Sequence, residues 1–378
     1  MQVPFYRHSL SRADAARVAD VLDTTFLTSG PVGRDVEARL AAFFGVHHAL
    51  LTSSWTTGAI ATLMSLDIGP GDEVIVPAMT FIATANVVEL VGATPVFVDV
   101  DPDTLMMTPA GARAARTDRT RAAIPVHLYG QMADVAGLAA ALGPEVAIIE
   151  DCAHCFEGRR DGVRPGRHSR AAIFSFYATK NVTCGEGGAV ISNDAALVDA
   201  LRKVRVHGMS AAAADRFSAG GGGFRPWDME RLGIKANLPD LLACLLPPQI
   251  DAIDAQLVRR RKIAKRYRAA FAGLPLRMQA EQAGVEDAHH LFVVWVPPQR
   301  RRACVDHLNA NGVQVTVNYD AVPSTAYYRE RFGGANHFPV SFEWGAGCIS
   351  LPFFPGLADP EIEHVIASVR SMCDAALA

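Results

Sequence analysis

Short apolar runs alternate with amphipathic stretches through the first half of the chain. In DVEARLAAFFG, Val36, Leu40, Phe43 and Phe44 recur at helical spacing, and Gly45 marks a stop. Beyond it lie the runs Val74–Pro77, Pro95–Val100, Ala122–Val126, Val146–Glu150 and Ala171–Phe176. Each is short and lacks the in–out alternation of a strand with one wet face, which predicts strands covered on both sides. Helical patterns fall between several of them. The fold class that follows is α/β with a mostly parallel central sheet. No internal repeat is visible.

The second half reads differently. A helix is expected from about Gln249, in QIDAIDAQLVRRRKIAKRYRAAF. It carries the chain into a smaller region with strand patterns HLFVVWV and VQVTVNY and helices at Arg300–Asn309 and from Pro360 onward. A length of 378 residues suits two cores. The expected division is a large domain over 1–250 and a small C-terminal α/β domain over 251–378. The basic cluster Arg259–Lys262, with Asp251 and Asp254 nearby, reads as a solvated helix face. The glycine run Gly220–Gly223 reads as a loop, not a linker.

Composition narrows the function classes. Half of the residues are hydrophobic, 20% are charged and the net charge is −3. That argues against disorder, a nucleic-acid partner or a membrane surface. No apolar run reaches spanning length, and MQVPFYRHSL lacks the pattern of a secretory leader. Seven scattered cysteines suit reduced thiols and a cytoplasmic setting.

The candidate chemistry centres on FSFYATKNVTCGEGG, Phe174–Gly188. A lone lysine, Lys180, follows an apolar run and precedes a glycine-rich turn. Held away from bulk water, its amine becomes a nucleophile. In open α/β sheets ligands sit beyond the carboxyl ends of strands. Asp151 ends EVAIIED there, Ser175 ends another run, Ser53 to Thr56 open a helix, and Phe81 follows VIVPAMT. An amine for an aldehyde, an acid for a ring nitrogen, an aromatic face and a hydroxyl-rich helix start are what pyridoxal phosphate requires.

The segments TSGP, PAMTFIATANVV, PVHLYGQMADV, EDCAH, FSFYATKNVTCGEGGAV, RVHGMS, KANLPDLLACLLPPQ and ISLPFFPGL occur in the order found in the DegT–StrS-type sugar aminotransferases. The chain resembles that family along nearly its whole length. The resemblance implies a fold-type-I pyridoxal-phosphate enzyme in which Lys180 attaches the cofactor as a Schiff base and then moves the proton. It implies that Asp151 pairs with the pyridine nitrogen and that His154 lies near the ring and its phenolic oxygen. Ser54, Thr56 and Ser175, with the backbone at Trp55, would hold the phosphate, and Phe81 would stack on the ring. Asn237 would reach the phosphate in a neighbouring subunit, making the active site a property of a homodimer. The implied substrates are a nucleotide-linked keto sugar, with a 4-keto-hexose expected, and glutamate as amino donor. A keto-cyclitol is the competing acceptor.

Other readings stand beside this one. A dehydratase on the same fold would carry histidine in place of Lys180. A regulator would need a DNA-binding appendage, and no basic helix-turn-helix is visible. Cys152 and Cys155 form a C-x-x-C without a second pair, so metal is not expected. His127 is expected to be a satisfied neighbour of the site, while Glu186 is open between a turn role and a supporting role. Two departures from the family pattern bear on the substrate side. Trp55 stands where a small residue is usual, a bulky ring that could narrow the site, and Ala321 and Pro323 replace a Pro-x-His. The segment HGMSAAAADRFSAGGGGFRPW, with Arg216, Arg225 and Trp227, is open between a mobile pocket lip and a plain surface loop.

Overall fold

The computed structural model describes residues 1–210, 228–332 and 338–377. The expected lip residues Arg216, Arg225 and Trp227 and the run Gly220–Gly223 lie outside the described residues.

The described strands are β1 (His48–Thr52), β2 (Glu73–Pro77), β3 (Thr94–Val98), β4 (Thr120–Ala123), β5 (Ala147–Asp151), β6 (Arg159–Arg160), β7 (Ala171–Ser175), β8 (Gly188–Ser192), β9 (Arg277–Met278), β10 (Val285–Glu286), β11 (Phe292–Trp295) and β12 (Cys348–Leu351). Seven of them form one sheet in the order β1-β8-β7-β5-β4-β2-β3. Neighbours from β3 through β7 pair in parallel, and all five expected runs are in this set. Strand β8 runs antiparallel to both β1 and β7, so Thr52, Ser175 and Gly188 meet at one edge. This edge also receives the carboxyl ends of β2 and β5. Strands β1 and β8 were not anticipated, because GAVIS lies directly behind a turn-like glycine cluster.

The expected helix around Val36 spans Pro31–Phe44 and ends on Gly45, whose φ of 65° is the left-handed stop that glycine permits. One apolar core lies under the large sheet around Trp55, Leu63, Val74, Val76 and Ile173. A second gathers Ile263, Tyr267, Phe292, Ile349 and Val365, and it takes in Val3 from the amino terminus. Strands β9, β11 and β12 form its three-stranded sheet.

Three expectations are corrected. The helix from Gln249 is broken at Ala252, into Pro247–Asp251 and Ile253–Phe271. The pattern VQVTVNY makes only single bridges, at Val313 and Thr316. The chain there leaves the sheet edge and delivers Asn318 and Tyr319 to the cleft described below. The basic cluster is a solvated face at Arg261 and Lys262 but not at Arg260. Arg260 is 1% exposed, because it shares the buried helix face of Leu257, Ile263, Ala264 and Tyr267. It pairs with the buried Glu157, while Arg259 and Arg261 pair with Asp359 and Glu286. Among the described residues, no single helix is long and apolar enough to cross a membrane.

Candidate active site

The strand ends open into a cleft of about 510 Å³. One end of it is the start of the helix Trp55–Ser65. Ser54 caps this helix by accepting from the Thr57 amide at 3.0 Å, and the Thr57 hydroxyl accepts from the Ser54 amide at 3.0 Å. The next N–H groups, at Trp55 and Thr56, have no partner within the helix and carry the positive end of its dipole. Gly188 makes this corner possible. A Cβ there would lie 2.6 Å from the Ser54 carbonyl carbon and 2.7 Å from the Trp55 nitrogen. Thr56 and Ser175 both line the cleft beside it. Trp55 both lines the cleft and reaches into the core. It is 5% exposed, with its ring in the apolar core.

The opposite wall is reactive. Asp151 ends β5 and is buried. Its Oδ2 accepts from Thr84 Oγ1 at 2.9 Å and its Oδ1 from the Ala153 amide at 3.1 Å. Burial pushes its carboxyl above the usual range, against the pull of those donors and of Lys180. Lys180 is taken out of water, which pushes its amine down to about 8, with Asp151 opposing. His154 is buried, and its Nδ1 accepts from the Tyr129 amide at 3.3 Å. Its proton is therefore on Nε2, which lies 3.0 Å from the Tyr319 hydroxyl. Burial, Lys180 and His290 hold this imidazole uncharged, well below the usual histidine range. Phe81 is 51% exposed, an aromatic face left open at the cleft, with its ring centroid 5.4 Å from that of Tyr319.

Asn237 lies outside the lining of this cleft. Its Nδ2 donates to Ser29 Oγ at 2.8 Å, and its buried Oδ1 has no partner among the described residues. His127 is satisfied, as expected. Its Nδ1 accepts from the Ala133 amide at 3.1 Å and its Nε2 donates to Glu150 at 2.7 Å. Glu186 is exposed and lines the cleft. Ala321 and Pro323 are buried in a 3-10 turn behind the cleft and do not line it, which corrects their assignment to the substrate side. Cys152 lies near His127 and Glu150, but both of those side chains already have their partners. Cys155 turns to the Gly130 carbonyl at 3.3 Å.

Thr84, Tyr129, Tyr319 and His290 escaped the sequence reading. The one local signal was the threonine pair Thr80 and Thr84, spaced one helical turn apart, with hydroxyls 2.9 Å apart.

The sequence model of the DegT/DnrJ/EryC1/StrS aminotransferase family matches residues 8–370. The chain belongs to that family. Its fold and cleft are those of a pyridoxal-phosphate-dependent sugar aminotransferase. DesV of S. venezuelae is 32% identical over 99% of both chains, with a TM-score of 0.90. A DegT/DnrJ/EryC1/StrS aminotransferase from Brucella abortus is 31% identical over 95% of both chains, with a TM-score of 0.85. Spr1654 of Streptococcus pneumoniae, solved in a PLP form, is 27% identical over 100% of both chains, with a TM-score of 0.92.

The residues present fit this cofactor. A buried carboxyl pushed upward becomes a stable carboxylate again beside a cationic ring nitrogen. The helix start, with its open N–H groups and flanking hydroxyls, suits a phosphate. Lys180, lowered to about 8, is partly neutral near pH 7 and can attack a carbonyl.

Proposed function

We propose that this aminotransferase converts a nucleotide-linked keto sugar, a 4-keto-hexose, into the amino sugar with glutamate as donor. One observation carries the reading. Among the described residues lining the cleft there is no arginine, and the charged side chains are Lys180, Asp151 and Glu186. A fixed arginine clamp would suit a dicarboxylate and exclude a bulky sugar diphosphate. Hydroxyls and aromatic rings suit a polyol. A second copy of the chain completes the site in this reading, with Asn237 reaching the neighbour's phosphate through its amide Nδ2, which has a second N–H beyond the one given to Ser29. The buried, unpaired thiols support a reducing, cytoplasmic setting.

Pyridoxal phosphate supplies a carbonyl for covalent attachment and an electron sink. The chain does the rest. With the cofactor bound, the Lys180 amine would accept a proton from the substrate carbon and give it back. Asp151 would keep the ring nitrogen protonated. Phe81 would offer its open aromatic face to the ring, and His154 presents an uncharged imidazole next to Tyr319. Thr56, Ser175 and the amides at Trp55 and Thr56 would hold the phosphate. The test is steady-state kinetics with nucleotide-linked keto sugars and with free keto-cyclitols, glutamate being the donor. Turnover of the first set at higher kcat/KM supports the proposal. Efficient reaction of free cyclitols alone overturns it.

A further inference from the structure

Behind Lys180 runs a chain of buried polar groups that the reaction as described does not use. It begins at Asn181, the next residue. Asn181 Nδ2 donates to Glu157 Oε2 at 3.0 Å and to the Ala288 carbonyl at 3.1 Å. Both partners can only accept, so the amide has one orientation. Its other end, Oδ1, lies 3.0 Å from His290 Nδ1. That oxygen can only accept, so His290 carries its proton on Nδ1. Glu157 is held in turn by Arg260 from the helix Ile253–Phe271.

His290 meets the site directly. Its ring centroid is 4.5 Å from that of His154. Its amide donates to the Tyr129 carbonyl at 2.9 Å, and the Tyr129 amide is the one that fixes His154. Two buried imidazoles, each with its tautomer fixed by a single partner, therefore sit side by side near Lys180.

We propose that Asn181 is a positioning residue: its amide oxygen fixes His290 as the Nδ1–H tautomer and holds the ring in place against His154, where its surroundings keep it uncharged beside Lys180. The groups facing His290 support this. Burial disfavours a charged ring, and the cations Lys180 and Arg260 work the same way. His154 is uncharged, and the Glu157 charge is taken up by Arg260. Tyr6, Arg7 and His8 line a small cavity shared with His290, Lys180 and Arg260, and bring no carboxylate to it. A charged His290 would repel a protonated Lys180 and disturb the tilted His154 ring packed against it.

The inference rests on Lys180 being the reactive amine, and it is tested without turnover. In cofactor-free protein labelled with 15N-histidine, His290 is expected as the Nδ1–H tautomer, with no titration from pH 6 to 9. Asn181→Asp places a carboxylate against Nδ1 and is expected to raise the proton affinity of His290 at least about tenfold. Asn181→Ala, which adds no charge beside Glu157, is expected to release the tautomer. It should lower kcat of the holoenzyme about tenfold, with KM changed less than about twofold. A wild-type His290 found as Nε2–H, or already charged at pH 7, overturns the inference. So does an unchanged His290 spectrum in folded Asn181→Ala protein. Wild-type enzyme inactive on every keto sugar would overturn the proposed substrate instead, since the imidazole spectrum is read independently.

Discussion

Glu150 and Asp151 are neighbours on β5, yet they have opposite fates. Successive side chains on a strand face opposite sides of the sheet. Asp151 faces the cleft with two donors, Thr84 and the Ala153 amide. Glu150 faces away and takes three, from His127 at 2.7 Å, the Gly166 amide at 2.7 Å and Ser169 at 2.5 Å. Both are buried. Burial alone therefore does not mark a reactive acid. The mark is an incomplete set of partners facing open space; His154, partnered at both nitrogens like His127, differs from it in lining the cleft.

The sharpest test on the cleft face is Lys180→Ala. Turnover should fall by more than about 10⁴-fold, and the long-wavelength absorbance of resting enzyme should vanish. Retention of that band would place the cofactor elsewhere. Next comes Asp151→Asn, expected to cost about 10²- to 10⁴-fold in kcat with cofactor still bound. Near-normal turnover would break the contrast with Glu150.

Glu150→Gln should behave in the reverse way. It sets an amide N–H against His127 Nε2–H, so it should lose about 1–3 kcal/mol of stability while kcat stays within about threefold. Equal losses of activity from the two carboxyl variants would sink the comparison.

An effect without any change in activity is in the pH dependence of stability. Burial pushes the Lys180 amine in the folded protein down to about 8, from an ordinary value of 10.5. Between those values the unfolded chain binds more protons, so rising pH stabilises the fold there. Below about pH 8 both states are charged and the penalty is fully present. Cofactor-free wild type should therefore gain up to about 3 kcal/mol relative to Lys180→Met across this window. Parallel pH curves for the two proteins would show that Lys180 is not held out of water.

The parallel strands were legible because a strand buried on both faces needs an unbroken apolar run, and five such runs stand in the sequence. Lys180, Asp151 and Phe81 were legible because each sits just past such a run, and the Ser54 cap because serines and threonines open a helical pattern there. What stayed hidden depends on distance along the chain. Tyr319 meets His154, and Thr84 meets Asp151, only because separate elements converge on the cleft. The burial of Arg260 was hidden for a related reason. A basic cluster looks solvated until a buried Glu157 from another element is placed against it.

The antiparallel pairing of β1 with β8 has a consequence for synthesis on the ribosome. Thr52 pairs with Gly188, the residue that lets the sheet close against Ser54. Translation at about 5–20 residues per second leaves β1 waiting on the order of ten seconds for that partner. During that interval its apolar segment HALLT and the helix start that follows it have no sheet to join. The nascent chain therefore presents an unpaired strand edge early, and chaperone contact with residues 48–65 should end only once β8 has emerged.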